Sequence, residues 1–357
     1  MLTKEIAVVG GGPAGMCAAL SAAEQGAEVV ILDRENKLGG QLVKQTHQFF
    51  GSEKQLAGVR GIDIGKILRE RIRENSNIEA RNEATVLGIY HDGVISFEEK
   101  EEYKKLSSRQ TIIATGASEK FLSFPNNDLP GVYGAGAVQT LMNQYGVLPG
   151  SKVLMIGAGN IGLIVSYQLV QAGVKVSEII EAQPQIGGYH VHAAKIRRMG
   201  VPISTEHTIL KACGDDWVEG ALVAEIDENW QTVEGSKRRL DVDAICLAVG
   251  LSPLRELLMH VDCEMEYVPE LGGFIPVRND DLETSISGYY VAGDVAGVEE
   301  ASSAMMEGRI AGISAAESIG YDEDAARVKR EYRQELKALR AGPVGKEIKE
   351  GLRKVVF

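Results

Sequence analysis

Residues 6–15 read IAVVGGGPAG, and residues 153–162 read VLMIGAGNIG. Each is a short apolar run that stops at a glycine turn, Gly10-x-Gly12-x-x-Gly15 and Gly157-x-Gly159-x-x-Gly162. Such a run is the profile of a buried parallel strand. The alanine-rich stretch Met16–Ala23 reads as a helix after the first turn, and Leu163–Gln171 after the second. Each glycine has a mechanical task. The first permits the sharp turn from strand to helix, the second lets a pyrophosphate approach bare backbone, and the third lets the helix press on the sheet. Amides at the helix N-terminus then face the phosphates.

Each unit continues alike. A second strand, Glu28–Leu32, ends in Asp33, eighteen residues past Gly15; Lys175–Ile180 ends in Glu181, nineteen past Gly162. An acid at that place can accept the hydroxyls of a ribose. Asp33 precedes Gly39-Gly40 by six residues, and Glu181 precedes Gly187-Gly188 by six. The glycine turns are offset by 147 positions and the acids by 148. The match is too long for coincidence, so two homologous dinucleotide-binding units share the chain. The strand Thr111–Ala114, running into Thr115-Gly116, closes the first; Ala244–Val249, running into Gly250, closes the second. Between Ala84 and Gln110, the segments Ala84–Tyr90, Val94–Glu98 and Glu102–Leu106 alternate like a small antiparallel meander, and Ile209–Leu240 repeats that texture. Two nucleotide pockets imply two redox cofactors brought face to face.

Composition excludes several classes. The 357 residues carry 38 basic and 50 acidic side chains, a net charge of −12, which disfavours a nucleic-acid partner. With 44% hydrophobic and 25% charged residues the chain is an ordinary globular one, long enough for two domains. Cys17, Cys213, Cys246 and Cys263 lie far apart, without a C-x-x-C, so neither a disulfide scaffold nor a metal site is expected. The glycines and proline of residues 10–15 would break an export helix. No membrane insertion and a cytoplasmic location are expected.

The ordered motifs GGGPAG (Gly10–Gly15), LDRENKLGGQL (Leu32–Leu42), ATGA (Ala114–Ala117), GAGNIG (Gly157–Gly162) and YVAGDVAG (Tyr290–Gly297) resemble the two-dinucleotide-binding-domain flavoproteins, the pyridine nucleotide–disulfide oxidoreductase superfamily. The resemblance covers roughly residues 1–320. It implies an α/β fold of two Rossmann-like dinucleotide-binding domains (three-layer ββα), the NAD domain inserted in the FAD domain. The expected parts are 1–118 and 256–340 for FAD, 119–255 for NAD, and a helical tail over 322–357. FAD contacts are expected from Gly10, Gly12, Pro13, Ala14, Gly15, Asp33, Arg34, Gly40, Gln41, Leu42, Ala84, Ala114, Thr115 and Gly116. Gly293, Asp294, Glu300 and Ala301 complete that set, Asp294 bonding the ribityl chain. Gly157, Gly159, Asn160, Ile161, Gly162, Glu181 and Gly250 are expected to bind the nicotinamide nucleotide. The thioredoxin-reductase branch carries a C-x-x-C near Gly134–Gln144, and the glutathione-reductase branch one just after Gly40. This chain has neither, so dithiol relay is excluded for it alone.

The stretches GYHVHAAKIRRMGVPI (Gly188–Ile203) and VEEASSAMMEGRIAGISAA (Val298–Ala316) resemble the FAD/NAD subunits of heteromeric amine and amino-acid dehydrogenases: sarcosine oxidase alpha, opine oxidase, hydrogen cyanide synthase and dye-linked proline dehydrogenase. Many of those continue into a cysteine-rich [2Fe–2S] segment, which here would have to sit on a partner. The resemblance implies hydride transfer between NAD(H) and bound FAD, with this chain as one subunit. The partner would be an amine-oxidising flavoprotein, a small iron–sulfur protein, or a second copy in a homo-oligomer. The alternatives are a stand-alone NADH-dependent flavin reductase acting on ferredoxin, quinone or oxygen, and a non-enzymatic FAD-bound scaffold.

Hydride transfer needs no protein acid or base, so a missing triad is no objection. A helix starting near Glu300-Ala301-Ser302 would aim its positive end at the flavin. Glu181 favours NAD over NADP, because a carboxylate repels a 2′-phosphate; Lys195, Arg197 and Arg198 are the residues through which NADP could still be held. Past the flavin turn, Lys44 and His47 are the catalytic candidates, His47 as proton donor or substrate contact, its alternative being a structural role. His190 and His192 lack a third ligand and are read as pocket or surface residues. Trp217 and Trp230 are assigned to strand packing, and Met305 and Met306 to a helix core. In the tail, Val328, Tyr332, Leu336 and Leu339 fall at helical intervals, giving a surface helix packed on the FAD domain or a docking arm, ended by Gly342-Pro343.

Overall fold

The computed structural model describes residues 1–357, the side chains of Pro343 and Val344 excepted. The chain divides into two compact units, one of residues 1–118 with 252–357 and the other of residues 119–251. The return crossing at 251/252 precedes the 255/256 read from the sequence.

In the first unit a parallel sheet runs Ile78–Arg81, Val29–Leu32, Leu2–Val9, Glu102–Ile113, with Tyr289–Val291 added beside the last. Its strands are apolar on both faces because both faces are covered. Ile6 and Val8 point into one cluster with Met16, Leu20, Ile64 and Met305, and Ala7 and Val9 into the opposite one with Phe97 and Leu106. Each of these side chains larger than alanine contributes about 1.5–3 kcal/mol on full burial. The first cluster is closed by the helices Pro13–Glu24, Gly61–Glu74 and Ala301–Glu317. Pro13–Glu24 and Ala301–Glu317 cross closely, since a Cβ on Gly308 or Gly312 would run into the carbonyls of Ala14 or Ala18. Met305 and Met306 are buried there, in a helix buried on all sides from Ser302 to Ala316.

The meander differs from the expectation at one strand. Its third segment does not stop at Leu106 but runs unbroken through Ile113. One half, Glu102–Ser107, pairs antiparallel with Val94–Glu99, while Thr111–Ile113 pairs parallel with Tyr289–Val291. Ser107–Gln110, polar in sequence, imitate a break, but their backbones stay paired to Thr3–Ile6 on the other edge.

In the second unit five parallel strands run Ile203–Ser204, Lys175–Ile180, Lys152–Ile156, Ala244–Leu247, Val132–Gly134. The helices Asn160–Gln171, Ala135–Tyr145 and His190–Arg198 supply side chains to one cluster, and a three-stranded meander of His207–Cys213, Gly220–Glu225 and Arg238–Leu240 supplies the other. Buried Glu178 is held by a two-point pair with Arg238, at 2.7 and 2.8 Å. The assignment of Trp217 and Trp230 to strand packing is overturned. They are 60% and 61% exposed, because the meander strands are short and both residues fall in its connections, Trp230 at a left-handed φ of 61°.

The tail forms two helices, Ala325–Leu339 and Pro343–Leu352, with Gly342-Pro343 at the break, and belongs to the first unit. Among the described residues, no helix is long and apolar enough to cross a membrane.

Candidate functional site

The first glycine turn is built by three different constraints. Gly10 has φ 101°, and a Cβ on it would strike the carbonyl of Ala114. Gly15 carries the helix against the turn, where a Cβ would strike the Gly10 carbonyl. Gly12 answers to neither constraint. Its φ of −72° suits any residue, and a Cβ there would meet only the Gly40 Cα, at 3.9 Å. It is the N-cap of Pro13–Glu24, and as glycine it has no side chain to give to the orphan amides of the first turn. Both facts fit a ligand phosphate lying over bare backbone and completing the cap.

The second turn reproduces this atom by atom. Gly157 has φ 102° and abuts the carbonyl of Ala248, and Gly162 abuts that of Gly157. Gly159, with φ −72°, has open space within 4 Å among the described residues, and caps Asn160–Gln171. The closing strands agree as well: Ala114 donates to Val9 at 2.8 Å and Ala248 to Ile156 at 2.7 Å.

The two acids brace their turns through the same pair of bonds. Asp33 accepts from Gly11 N–H at 2.5 Å and from Glu35 N–H at 2.8 Å. Glu181 accepts from Ala158 N–H at 2.8 Å and from Gln183 N–H at 2.9 Å. Each oxygen keeps a lone pair that a ribose hydroxyl could use. Burial pushes the Asp33 pKa up, and the two amides work against that shift. The turn after each acid is tied back to its loop, by Gly39 N–H to Gly11 O at 2.8 Å and by Gly188 N–H to Ala158 O at 2.9 Å. The tie therefore comes from the first glycine of one pair and the second of the other.

Other expected residues fall into distinct settings. Pro13 and Ala14 form the first helical turn, Ala14 being buried, and Gly40 abuts Gly12. Gly116 has φ 76° and accepts from Leu254 N–H, while the Thr115 hydroxyl donates to Leu254 O at 2.7 Å. Leu42 and Ala84 put their side chains into the core, so they offer a ligand only backbone. Arg34 is exposed beside Glu35, and Gln41 and Ile161 are exposed. Asn160 Oδ1 accepts from Tyr189 N–H at 2.8 Å. Gly250, φ 110°, accepts from Lys120 N–H at 2.9 Å. Lys44 ends the short helical turn Gly40–Lys44, and the His47 ring stacks on Phe49, centroids 5.8 Å apart. His192 lies against Tyr189, and burial with nearby Lys195 holds its pKa low. Among the described residues no group of three His, Cys, Asp or Glu could hold a metal. All four cysteines are unpaired, and burial raises the thiol pKa of Cys17, Cys246 and Cys263, which disfavours the reactive thiolate.

Asp294 follows Gly293, φ 76°, and opens a tight turn before Ala301–Glu317, whose N-cap is Glu300. Its carboxylate accepts a long bond from Glu299 N–H at 3.4 Å. Burial, together with the Glu307 and Glu299 carboxylates, pushes its pKa up to about 7. A hydroxyl donor from a bound sugar chain would relieve that desolvation.

Sequence reading missed the charged partners around this turn: Arg278, Glu299, Glu307 and Arg340. They come from three separate stretches, Glu299 and Glu307 both within Val298–Ala316, and together form no motif. It also missed Glu119, which accepts from Gly136 and Ala137 N–H at the head of Ala135–Tyr145, at 2.6 and 3.1 Å.

Comparison with known proteins agrees with this geometry. Residues 4–308 match the family described as pyridine nucleotide-disulphide oxidoreductase. The opine oxidase A-subunit of Rhizobium meliloti (strain 1021) is 27% identical, over 94% of this chain and 76% of its own length. The sarcosine oxidase alpha-subunit of the same strain is 26% identical, over 85% of this chain; the chain spans only 29% of that protein. Thioredoxin reductase of T. acidophilum superposes with a TM-score of 0.73 over 89% of this chain and 99% of that one, at 22% identity, a likeness of fold.

Proposed function

Because the chain belongs to the pyridine nucleotide-disulphide oxidoreductase family and is an FAD-dependent oxidoreductase, we propose that it binds FAD in its first unit and NAD(H) in its second, and passes hydride between them. The observation that carries this reading is the middle glycine of each turn. Gly12 and Gly159 are required neither by backbone angle nor by packing, and both stand where a pyrophosphate would need bare backbone.

FAD, when bound, supplies a two-electron hydride acceptor, a chemistry that asks the chain for no acid or base. The chain's task is to hold and orient. The amides of Ala14 and Gly15 would take the phosphates, and Asp33 the adenosine ribose. Asp294 would take ribityl hydroxyls, and the head of Ala301–Glu317 would direct its positive end to the ring. In the second unit, the Gly159 turn would take the phosphates and Glu181 the adenosine ribose of NAD, its negative charge opposing a 2′-phosphate.

The substrate-facing role is read from the relatives. The opine oxidase and sarcosine oxidase chains matched above are both named as subunits. On that basis this chain serves as the FAD/NAD subunit of an amine or amino-acid dehydrogenase, with the substrate oxidised on a partner. Anaerobic NADH added to the FAD-loaded chain should bleach the flavin's visible band within the mixing time of a stopped-flow instrument. A band unmoved by NADH and NADPH alike would refute hydride transfer in this chain.

A further inference from the structure

Beside the Gly293–Asp294 turn lies a buried charge cluster whose members, Asp294 apart, none of the roles above uses. Three carboxylates meet there: Asp294, Glu299 and Glu307, the last only 3% exposed. Two guanidinium groups face them. Arg278, 2% exposed, donates through Nη1 to Ala296 O at 2.5 Å and stands 3.6 Å from Glu307 Oε1. Arg340 comes from the tail, outside residues 4–308 that match the family. It grips Glu299 through Nε (3.0 and 3.1 Å) and Nη2 (2.6 Å), and Nη2 also reaches Glu307 Oε1 at 2.6 Å. The other Glu307 oxygen accepts from Gly293 N–H at 3.0 Å, so one continuous chain of bonds links the tail to that turn.

The rest of the arm fastens Arg340 in place. Lys329 pairs with Asp281 and Glu317, at 2.8 and 2.5 Å. Glu335 accepts from Ser52 Oγ and Gln55 Nε2 in the segment that follows His47. Beyond the break, Val355 joins Val268, Leu271 and Ile275 in a small core, and Arg278 N–H donates to Val355 O.

Resting on the FAD reading above, we propose that Arg340 is a positioning residue for the flavin, and that the C-terminal arm is through it a latch on FAD retention. The physical reason is charge balance. With both arginines, three carboxylates face two cations. Without Arg340 they face only Arg278, whose Nη1 is already spent on Ala296 O. Excess negative charge in a buried site forces carboxylates to protonate or to turn out toward water. Either response loosens the Glu307–Gly293 bond and shifts Asp294, the residue that takes the ribityl hydroxyls.

The test uses the full chain, stripped of flavin and titrated with FAD by fluorescence, with far-UV circular dichroism as the control for folding. Arg340→Met should keep the native dichroism and bind FAD about tenfold or more weakly, roughly 1.4 kcal/mol. Arg340→Lys should recover part of the affinity. So should Glu299→Gln added to Arg340→Met, because it removes the uncompensated charge without rebuilding the contact, an effect that lost packing alone would not produce. Arg327→Met, which breaks only exposed tail pairs, should titrate like the native chain. A native FAD constant in folded Arg340→Met overturns the latch and leaves the function standing. Should Arg340→Met not fold, Arg340→Gln carries the test, since its amide can still donate hydrogen bonds but removes the charge; a native constant there overturns the proposal. A native chain that takes up no FAD overturns the function and the latch together.

Discussion

Asp294 shows how much a single residue's chemistry depends on what surrounds it. In sequence it is one of fifty acids, marked by the Ala292-Gly293-Asp294 motif. In the fold, burial and two neighbouring glutamates raise its pKa to about 7. An acid raised in this way binds its proton more tightly folded than unfolded. Its contribution to stability is therefore present below about pH 4, the ordinary carboxylate value, and is lost as pH climbs to about 7, at up to about 1.4 kcal/mol per pH unit. In flavin-stripped protein, Asp294→Asn should gain melting temperature over the native chain progressively between those pH values, then level off. Thermal melts across that range give the answer, and a pH-independent difference would contradict the buried setting assigned to this carboxylate.

At the scale of elements, the strand–turn–helix unit separates glycines that the fold requires from those it does not, which are proposed to meet a ligand. Gly10 and Gly157 are required by φ and by a carbonyl in the way, Gly15 and Gly162 by a carbonyl alone. Gly12 and Gly159 are not. Gly12→Ala should thus cost the stripped protein only about 1 kcal/mol, the scale of a lost N-cap preference, yet weaken FAD uptake sharply. Gly159→Ala should likewise spare the fold and FAD uptake but weaken NAD binding. Melting curves and ligand titrations on both variants check this, and retained FAD affinity in Gly12→Ala would contradict the phosphate assignment. The same turns explain why these elements are legible in sequence: backbone angle and steric room at five or six consecutive residues leave a local trace. The meander was less legible. Ser107–Gln110 look like a loop because their polarity is local, while the partner that keeps them a strand is a hundred residues away. Trp217 and Trp230 misled for the opposite reason, since strand propensity says nothing of where a short strand ends.

For the whole molecule, two compact units carrying equivalent turns should answer to different ligands. FAD should slow amide exchange at Gly10–Gly15 and Gly293–Ser302, and NAD at Gly157–Gly162, each leaving the other turn as it was. Hydrogen-exchange mass spectrometry with one ligand at a time resolves the matter; one ligand protecting both turns equally would contradict the assignment of separate cradles. The chain also spans only 29% of the sarcosine oxidase relative, against 76% of the opine oxidase one. What it shares with such relatives is the pair of units, and the amine-oxidising step is proposed for a partner on that ground.

The duplicated unit was legible in the sequence alone, because most of its constraints are short-range: a positive φ at Gly10 and Gly157, their carbonyls within reach of a would-be Cβ on Gly15 and Gly162, an acid one strand away. From these came the α/β reading and the two proposed cradles. What only the tertiary structure decided is the environment of Asp294 and the contacts of the arm. Arg278, Glu299, Glu307 and Arg340 are spread over sixty-two residues, and their pairing is a matter of burial and charge rather than spacing. Local patterning cannot encode such a cluster, because each member is chosen only by what the folded chain brings against it.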